Sequence, residues 1–138
     1  MRVGDTYGPS GWVEITQERV DAFADATGDH QWIHVDPERA AKGPFGTTIA
    51  HGYLTLSLLP AASSEVVPTR GRMGINYGVN RVRFPAPVPV GSHVRAAFEV
   101  LSVEQLEGSV QVTMKATVER EGGEKPVCVA EIVSRHYD

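Results

Sequence analysis

The chain has 138 residues, 41% of them hydrophobic, which suffices for one ordinary core and leaves too little for two. With 13 Lys and Arg against 17 Asp and Glu the net charge is -4, so no positive field exists to hold a phosphate backbone, and nucleic acid is excluded as an expected partner. The one cysteine, Cys128, rules out an internal disulfide and a multi-thiolate metal site, and reads as a small buried side chain in a reducing compartment.

Residues 1 to 11 carry no apolar segment of the signal-peptide kind. The longest apolar stretch, Tyr53 to Ala62, is interrupted by Thr55, Ser57 and Pro60 and falls short of the roughly 20 residues that span a bilayer. The expectation is a soluble, cytoplasmic protein with no membrane partner.

The first regular element starts at Thr16, a capping residue followed by Gln17 and Glu18, with Val20, Phe23 and Ala24 recurring on one face until Gly28. That pattern predicts a short amphipathic helix. A polar run, Gly28 to His34, contains only Trp32 and Ile33 as bulky apolar residues. Asp36-Pro37 then predicts a second short helix reaching Lys42, ended by the Gly43-Pro-Phe-Gly46 loop. From Gly52 to Ser64, Leu, Ala, Ser and Tyr dominate with almost no charge, which predicts a core-spanning helix buried on every side. Pro60 within it predicts a kink or an early end.

The second half is rich in valine and aromatic residues with partial alternation, which predicts four strands over Gly74 to Phe84, Ser92 to Leu101, Ser109 to Glu119 and Val127 to His136. Glu107-Gly108 and Glu121 to Pro126 suit hairpin turns, and Pro85 to Gly91 suits a bend. Helices early, consecutive strands late and one helix too apolar to be exposed predict an α+β domain over residues 1–138. Its curved antiparallel sheet wraps a central helix.

The densest ionisable group is Asp29, His30, His34 and Asp36, beside Gly28 and Trp32, and it is either a site or a solvated loop. Asp29 and His34 are five positions apart, a spacing that on a helix would turn them about 140° away from each other, so they converge only if the segment is a loop. A metal reading rests on the i, i+4 spacing of His30 and His34, which requires a helix that glycine and the lack of strong helix formers disfavour. No metal is expected.

Taken together, Phe23-Ala-Asp-Ala-Thr-Gly-Asp-His-Gln-Trp-Ile-His-Val-Asp36 resembles the hydratase 2 motif of MaoC-like dehydratases, in which Gly-Asp is followed five residues after the Asp by His. Ile49-Ala-His-Gly-Tyr53 is similar to the family's approach to its central helix, and Asn76 to Gly91 to its following strand and bend. The resemblance covers nearly the whole chain. It implies a hotdog fold, a homodimer and acyl-thioester substrates carried on coenzyme A, which enters as part of the substrate, with no separate cofactor. The implied activity is that of an (R)-specific enoyl-CoA hydratase, or 3-hydroxyacyl-thioester dehydratase in reverse. Where many members have Asn-Pro between the Asp and the His, this chain has Gln31-Trp32, a change that bears on the acyl pocket more than on the reaction.

Hydrating an enoyl thioester takes a base for water, an acid for Cα and donors for the charge on the thioester oxygen. The resemblance assigns Asp29 and His34 to hold the water, with Asp29 nearest its proton and His34 delivering one to Cα. It assigns the backbone amide of Gly52 to the oxyanion. The alternative for Gly52 is tight packing of the helix start, and His51 beside it reads as structural. Gln31, next to the catalytic pair, and Arg81 and Arg83, alternating on a predicted strand where they meet either coenzyme phosphates or solvent, complete the candidate substrate contacts. Tyr53 and Trp32 fit the acyl tunnel and the core equally well. Two other functions stay open: a hotdog thioesterase, against which the Asp-to-His spacing speaks, and a silent acyl-binding subunit.

Overall fold

In a computed structural model, which describes residues 1–68 and 71–138, Thr16 caps helix α1 (Gln17–Thr27) through its side chain, which accepts from the Arg19 amide. Gly28 ends the helix with φ 83°, a left-handed conformation that favours glycine. Val20 and Ala24 are its buried face, as the periodicity predicts. The expected second helix is α3 (Pro37–Ala41), with the Asp36 side chain accepting from the Arg39 amide and Pro37 in the first turn. Between them lies α2 (Trp32–Val35), a single turn that corrects the expectation of a loop throughout: residues 28–31 are irregular, and His34 is helical.

The central helix is two pieces, α4 (Gly52–Ser57) and α5 (Leu59–Val66), broken at Leu58 so that Pro60 falls in the first turn of α5, where its missing N–H costs nothing. Its expected burial on every side is corrected. Leu54, Thr55 and Leu59 face the core, whereas Tyr53, Ser57, Pro60 and Ala61 are exposed, because the sheet covers one side only.

Strands β3 (Met73–Arg83), β4 (His93–Leu106), β5 (Ser109–Arg120) and β6 (Cys128–Tyr137) stand where the alternation places them, with β4 running five residues past the expected Leu101. Two short strands that no alternation announced, β1 (Thr6–Tyr7) and β2 (Val13–Glu14), pair with β4. The antiparallel sheet has the order β1-β4-β5-β6-β3, so β3 pairs with β6 and leaves an edge. Val94, Ala96, Phe98 and Val100 of β4 and Val112, Met114, Ala116 and Val118 of β5 alternate into the core against Leu54 and Leu59, following the two-residue period of a pleated strand. Cys128 is buried there, and burial pushes its thiol up to about 11, matching its expected role as an inert side chain. None of the described helices is long and apolar enough to cross a membrane.

Candidate active site

Three segments meet at the N-terminal end of α4. Residues 48–51 run extended between α2 and the Val88–Val90 segment: the Ile49 amide donates to the Ile33 carbonyl at 3.0 Å, Ala50 to Val88 at 2.8 Å, and Val90 to Thr48 at 2.9 Å. Gln17, at the start of α1, fastens the same junction from the other side. Its amide nitrogen donates to the His34 carbonyl at 2.7 Å, and its oxygen accepts from the Thr48 hydroxyl at 2.6 Å. Nothing in the sequence marks Gln17 for this role, because it depends on two partners 17 and 31 residues away.

His34 is 6% exposed, and its Nδ1–H donates to the Ile49 carbonyl at 2.7 Å. The neutral ring therefore carries its proton on Nδ1 and turns a lone pair outward on Nε2. Burial lowers its pKa below the ordinary histidine value; the Ile49 hydrogen bond and the Asp29 charge oppose the shift, and His51 adds to it. Asp29 is exposed at the start of the irregular segment, where its carboxylate accepts from the Gln31 amide at 3.3 Å. One ligating atom each of Asp29, His34 and His51 lies within 4.8 Å of the others. The sequence pair Asp29 and His34 is thus brought together, by the irregular residues 29–31 followed by one helical turn.

His51, which the sequence reads as structural, is the third member of this group. It is 3% exposed, its ring stacks on His34 with centroids 3.8 Å apart and planes 22° from parallel, and it leans on Phe23 at 4.9 Å. Its Nε2–H donates to the Asp29 carbonyl at 3.0 Å. An imidazole binds a metal through a lone pair in its own plane, and two nearly parallel rings do not aim such lone pairs at one ion, so the trio is a poor tetrahedral site. In the other metal reading, which pairs His30 with His34, His30 instead turns to Asp25, its Nε2 2.9 Å from that carboxylate, which raises its pKa.

Gly52 is the first residue of α4, and the intrahelical bonds begin with the Leu54 and Thr55 amides donating to the His51 carbonyl, so the Gly52 amide lies outside the ladder. A Cβ at Gly52 would lie 2.9 Å from the Phe84 ring. Packing against Phe84 therefore accounts for the missing side chain, in place of close substrate approach from that direction. Tyr53 is 71% exposed and sets its ring edgewise to Phe84 at 6.2 Å, which corrects core packing as its role. Trp32 is half-buried against Gly43 and under the Arg39 guanidinium at 4.3 Å.

Of the remaining candidates, Gln31 contributes through its backbone, its carbonyl accepting from the His34 amide at 3.0 Å, while its side chain is exposed. Arg81 and Arg83 are exposed on β3, next to an irregularity in its pairing with β6 between Val79 and Val82. The Arg83 guanidinium donates to the Val82 carbonyl at 2.8 Å.

The model of the MaoC like domain matches residues 1–121. The 3-hydroxyacyl-thioester dehydratase Z of Mycobacterium tuberculosis is 62% identical over 135 residues, which covers 96% of this chain and 89% of that protein. Among solved structures, a monoamine oxidase regulatory protein from Archaeoglobus fulgius superposes with a TM-score of 0.85 at 27% identity, covering 100% of this chain and 92% of that one. An (R)-hydratase from A. caviae involved in PHA biosynthesis superposes with a TM-score of 0.79 at 27% identity, covering 99% and 97%.

Proposed function

The chain belongs to the MaoC-like dehydratase family, with the hotdog fold, and on that premise we propose that it is an (R)-specific enoyl-CoA hydratase working through Asp29 and His34. The reaction adds water to a trans-2-enoyl thioester to give the (R)-3-hydroxyacyl thioester, and runs in reverse as a dehydration. One observation carries the assignment of residues: a buried, neutral His34 with its Nε2 lone pair free, within 4.8 Å reach of an exposed carboxylate.

Water binds between the two side chains. Its oxygen attacks Cβ as His34 Nε2 takes up one of its protons, and the double-bond electrons move to the thioester oxygen as an enolate. The Asp29 carboxylate accepts a hydrogen bond from the second O–H of the water, which stays on the oxygen as the product hydroxyl, and favours the imidazolium as it forms. His34 then returns the proton to Cα on the face where oxygen entered, so the addition is syn and the protein ends as it began. The tautomer thus supports His34 as the proton's carrier in both steps, where the sequence alone places Asp29 nearest the water's proton.

The Gly52 amide, outside the hydrogen-bond ladder of α4, stabilises the enolate oxygen. Gln31 borders the acyl pocket, and Arg81 and Arg83 meet the phosphates of coenzyme A, which arrives as part of the substrate. Residues 1–138 act as one catalytic domain. The partner is a second copy of the chain. Supporting this is β3, an edge strand that presents Met73, Ile75, Tyr77 and Val79 to solvent. Beside it runs a groove of about 570 Å³ lined by Leu56, Leu59, Ser63, Ile75, Val79 and Ile132. An apolar edge of this length pairs with itself through a two-fold axis and so avoids open-ended association.

The test is loss of enoyl absorbance with crotonyl-CoA and a longer trans-2-enoyl-CoA, with the product's configuration assigned and free thiol assayed in parallel. Formation of the (R)-3-hydroxy product is expected. Release of free thiol would replace the reading with a thioesterase, and binding without turnover would replace it with a silent acyl-binding subunit.

A further inference from the structure

His51 is buried, yet its Nδ1 has no hydrogen-bond partner among the described residues. Burying an acceptor unpaired costs stability, and an apolar ring would fill the same space without that cost. Packing alone therefore does not account for an imidazole here. Its Nε2–H, its ring face and its carbonyl each engage a different part of the proposed machinery. The Nε2–H holds the Asp29 carbonyl at 3.0 Å, at the residue whose carboxylate orients the water. The ring face stacks on His34 with centroids 3.8 Å apart, clear of that ring's hydrogen bond to Ile49, which leaves through Nδ1. The carbonyl receives the Leu54 and Thr55 amides and so fixes the start of α4, one residue before the Gly52 amide.

We infer that His51 is a positioning residue for the proposed hydration, holding Asp29 by a hydrogen bond and His34 by ring stacking so that both face one water molecule. The inference rests on the hydratase reading for its kinetic consequence but not for its geometry. Asp29 and His51 are the titratable groups that bear on the charge of His34; the Ile49 carbonyl and Gln17 around it are neutral. Because His51 disfavours charge on His34 and its ring covers it, removing the imidazole is expected to raise the pKa of His34.

The experiment compares wild type, His51→Phe and His51→Gln by steady-state kinetics on crotonyl-CoA, thermal melting, and NMR titration of the His34 ring. Phe keeps the stacked ring and loses the donor; Gln restores a donor near the position of Nε2 and loses the ring. The expected result is folded variants in which kcat falls by about 10²-fold for His51→Phe with KM nearly unchanged. A partial recovery of kcat is expected in His51→Gln, with the His34 titration displaced upward in both. Wild-type kcat in His51→Phe, an unmoved His34 titration, or a rate loss that tracks melting in both variants overturns the inference. If the wild type hydrates no enoyl thioester, the hydratase reading fails by itself, and the His34 titration still decides whether His51 positions that ring.

Discussion

His34 Nδ1–H donates a hydrogen bond to the Ile49 carbonyl at 2.7 Å, which ties the state of one buried imidazole to the path of the chain just before α4. The bond selects the tautomer with Nε2 unprotonated in the neutral ring, and burial shifts the ring toward that neutral form relative to an exposed histidine. In a pH series, the acid limb of kcat/KM is therefore expected to lie below the ordinary histidine value of about 6.5. Stability follows the same sign. The unfolded chain binds this proton more readily than the folded one, so His34's contribution is complete above about pH 6.5 and is lost as pH falls toward the depressed folded value. Melting temperatures of wild type and His34→Gln across pH 5 to 8 check this; the variant is expected to lose that part of the acid sensitivity.

Asp29→Asn and His34→Gln should each lower kcat by about 10²- to 10⁴-fold, the range that positioned acid–base groups supply. Asp29→Asn should melt close to wild type, because Asp29 is exposed and an amide oxygen can still accept from the Gln31 amide. A steady-state assay beside a thermal melt separates lost chemistry from lost structure, and full activity in either variant would remove that residue from the mechanism.

At Gly52 the obstacle to any side chain is Phe84, whose ring lies 2.9 Å from a Cβ placed there. Gly52→Ala is expected to destabilise the protein by about 1–3 kcal/mol, the usual cost of overpacking. It is also expected to lower kcat by displacing the amide at the start of α4. Adding Phe84→Ala should return most of the stability, a coupling that a double-mutant cycle measures directly. If the two changes are additive, the contact does not set the position of Gly52.

On β3, Ile75→Lys combined with Val79→Lys places two charges on the exposed apolar edge. Light scattering after size exclusion should show a dimer for wild type and a monomer for the variant, since desolvating paired lysines across a two-fold edge is unfavourable. A wild-type monomer, or a dimer insensitive to the change, would place the partner elsewhere.

Much of the fold was legible because local rules govern it. Thr16, Gly28 and Asp36-Pro37 announce helix ends by capping chemistry, and the alternating valines of β4 and β5 announce a half-buried sheet. The short strands β1 and β2 were not legible, since two residues carry no period and owe their conformation to β4. The helix from Gly52 onward misled for a related reason. Its lack of charge predicts burial on both sides, but the sheet covers only one of them.

The sequence by itself determined α1, α3 and the four long strands, carried the hotdog resemblance and singled out Asp29 and His34 as candidates, because these depend on residue type and spacing along the chain. Only the tertiary structure decided which nitrogen of His34 is free, that His51 grips Asp29 and stacks on His34, that Gln17 bridges His34 to Thr48, and that Phe84 occupies the space beside Gly52. The physical reason is range: caps and periods are set by residues a few positions apart, whereas these contacts join segments 15 to 32 residues apart whose approach is fixed by the packed core.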